Sequence, residues 1–275
     1  TARRGSAAEL KAAAGMYASA ADAYDEITRK SRPRYIQDWE DAVRRERAAA
    51  VDAGIAGIAP DHLRSADQSA DETRRLLAAA DYIPDSEAAA VPVDMYRALK
   101  PRADAAKARQ EIIINSLGAY DAANLNAGDE RISAAIAEYE AWNPKVSRDR
   151  ANEALARYNE ALMSAWTALA REKQLEASRE REAALAVKAN IAVRDEFNGA
   201  DRIYQQAARD FSARTFKEAA ELYGQSAALF IAAARSAEDK RRRAEEAIGA
   251  AKQKTAESTA LATSMGLIIE EGQDE

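Results

Sequence analysis

From Arg102 to its last residue this chain contains a single proline, Pro144. Proline is the strongest helix breaker, costing about 3 kcal/mol in a helix interior. A stretch this long with one proline can sustain long helices. The rest of the composition points the same way. Hydrophobic residues make up 47% of the chain but aromatics only 6%, and there are 11 glycines and 6 prolines. Much of the apolar share is alanine, the best helix former because it loses no side-chain entropy on ordering. Alternating Val, Ile and Thr runs are missing, so almost no sheet is expected. The expected fold is all-α: an elongated bundle of roughly seven to nine helices, some of them long.

Breakers predict the segmentation. Arg32-Pro33 is expected to interrupt a first helix carrying Met16, Tyr17, Ala20, Tyr24 and Ile27. A second runs from near Tyr35 through Trp39 and Val43, ending at Gly54, Gly57 and Pro60, with Asp61 as N-cap of the next. Pro84, Pro92 and Pro101 mark residues 83–101 as the least regular segment. Beyond it, a helix over 105–126 should stop at Gly128 and another at Trp142-Asn143-Pro144. Ser147 or Asp149 can cap a helix with no strong breaker before Asn198-Gly199. Such a helix of about 50 residues would be roughly 75 Å long. A last long helix runs from about Thr215 to Met265. The expected division is an N-terminal helical region at 1–101, a long-helix region at 102–265 and an acidic tail at 266–275.

The apolar spacing supports this reading. Leu155, Tyr158, Leu162, Ala165 and Leu169 step by three and four, as on a helix packed against neighbours. The series from Ala237 through Ala244, Ile248, Ala251 and Thr255 to Met265 keeps the spacing with small side chains. That seam admits close helix approach but buries little area, so it needs a partner helix, and homo-oligomerisation through it is one expectation. An alanine followed by a basic cluster recurs at Ala42, Ala105, Ala177 and Ala237, and Ala-Asp recurs at Asp22, Asp67 and Asp201. Intervals of roughly 60 to 70 residues suit repeated supersecondary units, although Ala- and Arg-rich helices also produce such matches by chance.

Residues 200–230 carry two striped helices joined by a short break, Ser212 to Thr215. Ala219, Tyr223 and Ser226 place small, aromatic and small residues at i, i+4 and i+7; Ala154, Tyr158 and Ala161 do so again, and Ile203 and Ala207 suit a preceding helix. This resembles the tetratricopeptide (TPR) family. Ala207 stands where that family prefers glycine, and no proline closes the unit after Ser226. The resemblance implies one or two TPR-like helix pairs in the C-terminal half, in a protein that holds partners. The mixture of such units with long charged helices is also similar to helical lipoproteins of spirochaete-type bacteria.

The chain offers little for chemistry. Net charge is −6 and the pI about 5.2, which argues against a nucleic-acid binder, since that needs a basic stripe. No apolar run reaches the length of a membrane span. Cysteine is absent and the one histidine, His62, follows Pro60-Asp61; it reads as a solvated residue in a first helical turn. Neither a metal site nor a cofactor is expected, Gly54-Ile55-Ala56-Gly57 lacks the Lys-Ser/Thr of a phosphate loop, and Asn126 to Glu130 reads as a turn. Trp39 and Trp166 read as core. The candidate binding residues are Trp142, beside Asn143-Pro144, and Lys240, Arg241 and Arg242, an anionic docking site if they are not simply a solvated face paired with Glu238, Asp239, Glu245 and Glu246. The expected function is a non-enzymatic protein-binding or scaffold protein using grooves between helices. Its alternatives are a carrier enclosing an apolar ligand near Ile112, Ile113, Leu162 and Phe230 with residues 83–101 as a flap, and a membrane-apposed bundle with a basic face. A chain opening Thr1-Ala2-Arg3-Arg4 suits an exported, periplasmic or cell-envelope protein with a lipid anchor outside the numbered residues; the alternative is cytoplasmic.

Overall fold

Ser6 starts the first helix by a reciprocal cap. Its hydroxyl accepts from the Glu9 amide, and the Glu9 carboxylate accepts from the Ser6 amide at 2.7 Å. The computed structural model describes residues 6–79 and 86–271. Among them are nine α-helices and no strand: α1 Ala7–Asp52, α2 Ile55–Ile58, α3 Pro60–Ala78, α4 Ser86–Ile114, α5 Ala122–Glu140, α6 Pro144–Ala186, α7 Ala189–Ala192, α8 Arg194–Ser212 and α9 Phe216–Glu271. The fold is all-α. The chain divides into two compact units, Thr1–Leu162 and Met163–Glu275. The division falls inside α6, and a boundary at 101 would fall inside α4. Most of the expected tail at 266–275 is helix, since α9 reaches Glu271; residues 272–275 lie outside the described residues.

In the first unit three prolines sit inside helices that the sequence reading breaks. Pro33 lies within α1, and Pro92 and Pro101 within α4. Burial decides the case of α4. Its Pro92, Val93, Met95, Tyr96 and Leu99 are all buried, at about 1.5–3 kcal/mol for each large apolar side chain, which outweighs two proline defects. Residues 86–101 are therefore the centre of this unit's core, packed against α1, α2 and α3; residues 83–85 lie outside the described residues. Near Pro33, the guanidinium of Arg32 donates to the carbonyls of Leu77 (2.9 Å) and Ala79 at the C-terminal end of α3. The Trp39 indole donates to the Ala89 carbonyl at 2.7 Å. These two anchors, one on either side of Pro33, hold α1 against α3 and α4.

Three times the chain turns the same corner. A residue in the left-handed region (Gly54 φ 87, Ser116 φ 54, Lys188 φ 58) ends one helix. A single turn follows: α2, a 3-10 turn at Leu117–Ala119, and α7. Then one residue with φ near −145 (Ala59 −146, Asp121 −150, Val193 −136) opens a helix of 19 residues, α3, α5 or α8. Each corner is pinned by an arginine and an aspartate twenty residues apart: Arg47–Asp67 at 2.8 Å, Arg109–Asp129 at 2.7 Å and Arg181–Asp201 at 2.7 Å. In the first two a tyrosine twenty-nine residues further on donates to the same carboxylate, Tyr96 at 2.5 Å and Tyr158 at 2.6 Å. In the third the residue at that distance is Phe230, which has no hydroxyl.

These corners correct several expected boundaries. The N-cap of α3 is Ala59, with Pro60 at the first helical position and Asp61 inside the first turn, where it pairs with Arg64 at 2.8 Å. Gly128 is inside α5 because the Tyr158 ring lies against it; a Cβ there would come 2.7 Å from Tyr158 Cδ1. Pro144 opens α6, so Ser147 is already helical and donates to the Ala135 carbonyl at 2.7 Å. α6 ends at Ala186, before Lys188, and Asn198-Gly199 lies within α8. Left-handed backbone at a non-glycine residue costs about 1–2 kcal/mol; the burial of Ala189, Val193 and Phe197 just after Lys188 offsets it.

In the unit Met163–Glu275, α8 lies along the first half of α9. Phe197, Tyr204 and Phe230 form one aromatic set, with centroids 5.4 Å apart for Phe197–Phe230 and 6.4 Å for Tyr204–Phe230. Tyr223 packs edge-on to Tyr204 among Ala170, Ala177, Ala207 and Ala219. The small alanines let the helix axes approach and the aromatics fill the space between.

Candidate functional site

The sequence-based candidates are placed as follows. Trp142 is 59% exposed. It occupies the left-handed position (φ 61) after α5, where its amide donates to the Tyr139 carbonyl and that of Asn143 to the Glu138 carbonyl. This is a Schellman closure with tryptophan where glycine is usual. Arg214 (φ 67) closes α8 in the same way. Lys240, Arg241 and Arg242 lie on α9. Lys240 donates to the Ala192 carbonyl at the end of α7, 2.9 Å away. Arg241 pairs with Glu245 at 3.6 Å, and Arg242 with Asp239 at 2.8 Å and Glu246 at 4.0 Å. Local acidic residues therefore occupy the two arginines, and Lys240 tethers α9 to α7. Trp142 belongs to one unit and the basic run to the other.

His62 is not the solvated residue expected. Its side chain is 16% exposed and stacks on Tyr139, with centroids 4.8 Å apart. The Tyr139 hydroxyl donates to the His62 carbonyl at 2.9 Å. Arg102 meets Nδ1 of the ring, and Nε2 lies 3.4 Å from Glu140. A guanidinium can only donate, so Nδ1 is the acceptor and the neutral ring carries its proton on Nε2. Burial first, and the Arg102 charge second, hold the His62 pKa below its ordinary value. The reason for the difference is Pro60: by opening α3 two residues earlier, it directs His62 toward Arg102 of α4 and Tyr139 of α5. The arrangement ties α3 to α4 and α5 through Arg102, Tyr139 and Glu140.

The residues named for an enclosed ligand are divided between the two units, Ile112, Ile113 and Leu162 in the first and Phe230 in the second. Ile112 is buried in α4 while its neighbour Ile113 is 49% exposed. Phe230 is packed among the aromatics of the second unit. Residues 86–101 are core helix and cannot act as a flap.

A groove that sequence reasoning missed lies between α8 and α9. It has a volume of about 460 Å³. Much of its lining is small: Gly199, Ala200, Ala232 and Ala233. Ile203 and Leu229 line it, and Asp195, Glu196 and Arg202 border it. A Cβ added at Gly199 would meet nothing within 4 Å, so the glycine leaves open space there. Ala200 and Ala233 are buried while Leu229 is 37% exposed. A lining of small and apolar residues admits a row of apolar side chains from outside, and the rim carries two carboxylates to one guanidinium, Asp195 and Glu196 beside Arg202. The only trace of this in the sequence is Asn198-Gly199 inside an amphipathic stretch, which reads equally well as a helix stop.

Among the described residues no group of three His, Asp or Glu side chains is placed to hold a metal ion, and no helix is long and apolar enough to cross a membrane. Comparison with protein families, with curated proteins and with solved structures finds no match for this chain.

Proposed function

We propose that the protein is a non-enzymatic binding or scaffold protein of the bacterial cell envelope, and that it takes a helical segment of another protein into the α8–α9 groove. The observation that carries this reading is the groove itself: apolar, lined by small residues, open to solvent and bordered by Asp195, Glu196 and Arg202, a rim with one net negative charge. An amphipathic helix presents anchors at i, i+3, i+4 and i+7 to such a surface, and a basic flank would complement the rim. The three pinned corners support a second element of the proposal, that the chain is a helical-repeat scaffold. Its arginines recur at Arg47, Arg109 and Arg181, at intervals near twice the 34 residues of a TPR unit. The TPR-like spacings fall differently on the corners: Tyr158 lies twenty-nine residues after its aspartate, where the third corner has Phe230, not Tyr223. Kinship with that family therefore rests on the helix-pair spacing alone.

The test is a photo-reactive residue at Leu229, with a second at Met163, which is 67% exposed and outside the groove. In cells, Leu229 should cross-link one recurring protein that Met163 does not. Gly199→Trp fills the groove without touching the core and should abolish that adduct while the thermal midpoint is unchanged or higher. An adduct that survives Gly199→Trp would remove the groove from the proposal.

A further inference from the structure

The first half of α1 stands in solvent: only its last turn approaches another described element, Thr28 and Ser31 bordering a pocket with Ser86 of α4. From residue 7 to 31 every position is exposed except Ala13, which is intermediate. Five large apolar residues stand in solvent there: Leu10 at 65%, Met16 at 70%, Tyr17 at 79%, Tyr24 at 72% and Ile27 at 62%. They are not scattered. Leu10, Ala13, Tyr17, Ala20, Tyr24 and Ile27 step by three and four, the spacing of one helix seam.

Another helix shows that this stripe is of the kind that is normally covered. Tyr24 precedes the corner arginine Arg47 by twenty-three residues, as Tyr158 precedes Arg181. In that register Tyr17, Ala20, Tyr24 and Ile27 of α1 correspond to Ala151, Ala154, Tyr158 and Ala161 of α6. All four of the latter are buried, at 0%, 0%, 0% and 3% exposure.

We propose that residues 7–31 of α1 pair with the same residues of a second copy, antiparallel, about a twofold axis between Ala18 and Ser19. The order of side chains selects that partner and that direction. Antiparallel pairing brings Leu10 against Ile27, Ala13 against Tyr24 and Tyr17 against Ala20, and symmetry repeats each contact. Tyr24 and Tyr17 thus each face an alanine, as the Tyr158 ring faces Gly128 within one chain. Parallel pairing would set Tyr17 and Tyr24 against themselves and Ala13 and Ala20 against themselves, crowding two levels and leaving gaps at two others. Charge agrees. Beside the seam, Glu9 of one copy comes opposite Lys30 of the other at both ends, while the other flank carries only Ala7, Ala14, Ala21 and Thr28. Lys30 is 70% exposed and now pairs with Glu26 of its own helix at 2.7 Å, an exposed contact that is easily exchanged. A twofold, self-complementary face is the commonest way for copies of one chain to associate.

The absence of cysteine makes the test free of background. Ala7→Cys and Thr28→Cys are prepared separately in the full chain and treated with a short bis-maleimide, alone and as an equimolar mixture. Residues 7 and 28 lie on the same flank and opposite each other in the antiparallel pair, whereas like positions lie roughly 28–35 Å apart along the axis. The expected result is a cross-linked dimer from the mixture and none from either variant alone. Sedimentation should show a dimer that Tyr17→Glu/Tyr24→Glu converts to a folded monomer of unchanged helix content, with a thermal midpoint that no longer rises with protein concentration as the parent's does. Homotypic cross-links, a monomer at tens of micromolar, or a dimer without the 7–28 cross-link would each overturn the proposal.

Discussion

A methyl group added at Gly128 would press into the ring of Tyr158, whereas the same group at Gly199 meets nothing within 4 Å. Both glycines read in sequence as helix stops, and both lie inside helices. The physical reason differs: one makes room for a neighbouring ring, the other borders an open groove. Their substitutions should therefore move stability in opposite directions. Gly128→Ala should lower it by about 1–3 kcal/mol, the usual scale of overpacking. Gly199→Ala should raise it by about 0.5–1 kcal/mol through helix propensity. Urea denaturation of the two variants beside the parent checks both signs. The pinning carboxylates are a second residue-scale device. The Arg109 hydrogen bond holds Asp129 below the usual carboxylate range against the opposing effect of burial, with Tyr158 helping. At Asp67 burial is the largest single influence and pushes upward, but the bonds from Arg47 and Tyr96 together outweigh it. None of this is visible residue by residue. Ala66-Asp67 and Ala200-Asp201 stand out as recurrences, but Gly128-Asp129 hides the middle member behind a glycine, and Asp22 matches by accident.

At the scale of elements, what is legible follows from composition and what is not follows from tertiary packing. Ala-rich stretches with three-four spacing give α9 its expected start and the turn at Trp142-Asn143-Pro144 its place. Of the residues that end helices at the corners, only Gly54 carries a signal; Ser116 and Lys188 adopt the same left-handed backbone without glycine. Conversely, Pro92 and Pro101 carry a strong signal that burial of α4 overrides. The candidate groove is illegible for a related reason: alanines and a glycine on two helices make a groove only once those helices are paired. α9 also tests how much helix survives without packing. Ala219 to Ala237 is buried at helical spacing against α8, while residues 238–265 are exposed at every position. Among the described residues, the Lys240 bond to the Ala192 carbonyl ties the start of that stretch to the unit. Amides beyond Ala244 should therefore exchange with solvent hydrogen orders of magnitude faster than those of 223–237. Equal protection along α9, read by mass spectrometry of peptic fragments, would contradict this.

For the molecule as a whole, acid sensitivity should concentrate in the unit Thr1–Leu162, which holds His62, Asp67 and Asp129. The folded state favours neutral His62, so its contribution is complete above the ordinary value of 6.5 and is lost as pH falls below it. Asp67 and Asp129 are favoured ionised; their contribution is complete above 3.8 and is lost as pH falls further. Thermal midpoints should thus decline in two stages on acidification, and His62→Phe should flatten the first while sparing the second. A first stage unchanged in that variant would assign it to other groups. The tryptophans suit such measurements. Trp39 is 6% exposed with its indole bound to Ala89, Trp142 is 59% exposed on a turn, and Trp166 lies in the other unit beneath the Lys217 ammonium, 5.4 Å from its ring. Three fluorophores in three environments give this chain a built-in spectrum: blue emission for one core, red emission for one turn, and a cation-perturbed band for the second unit. Phenylalanine at any two of them would leave the third as a single-colour reporter.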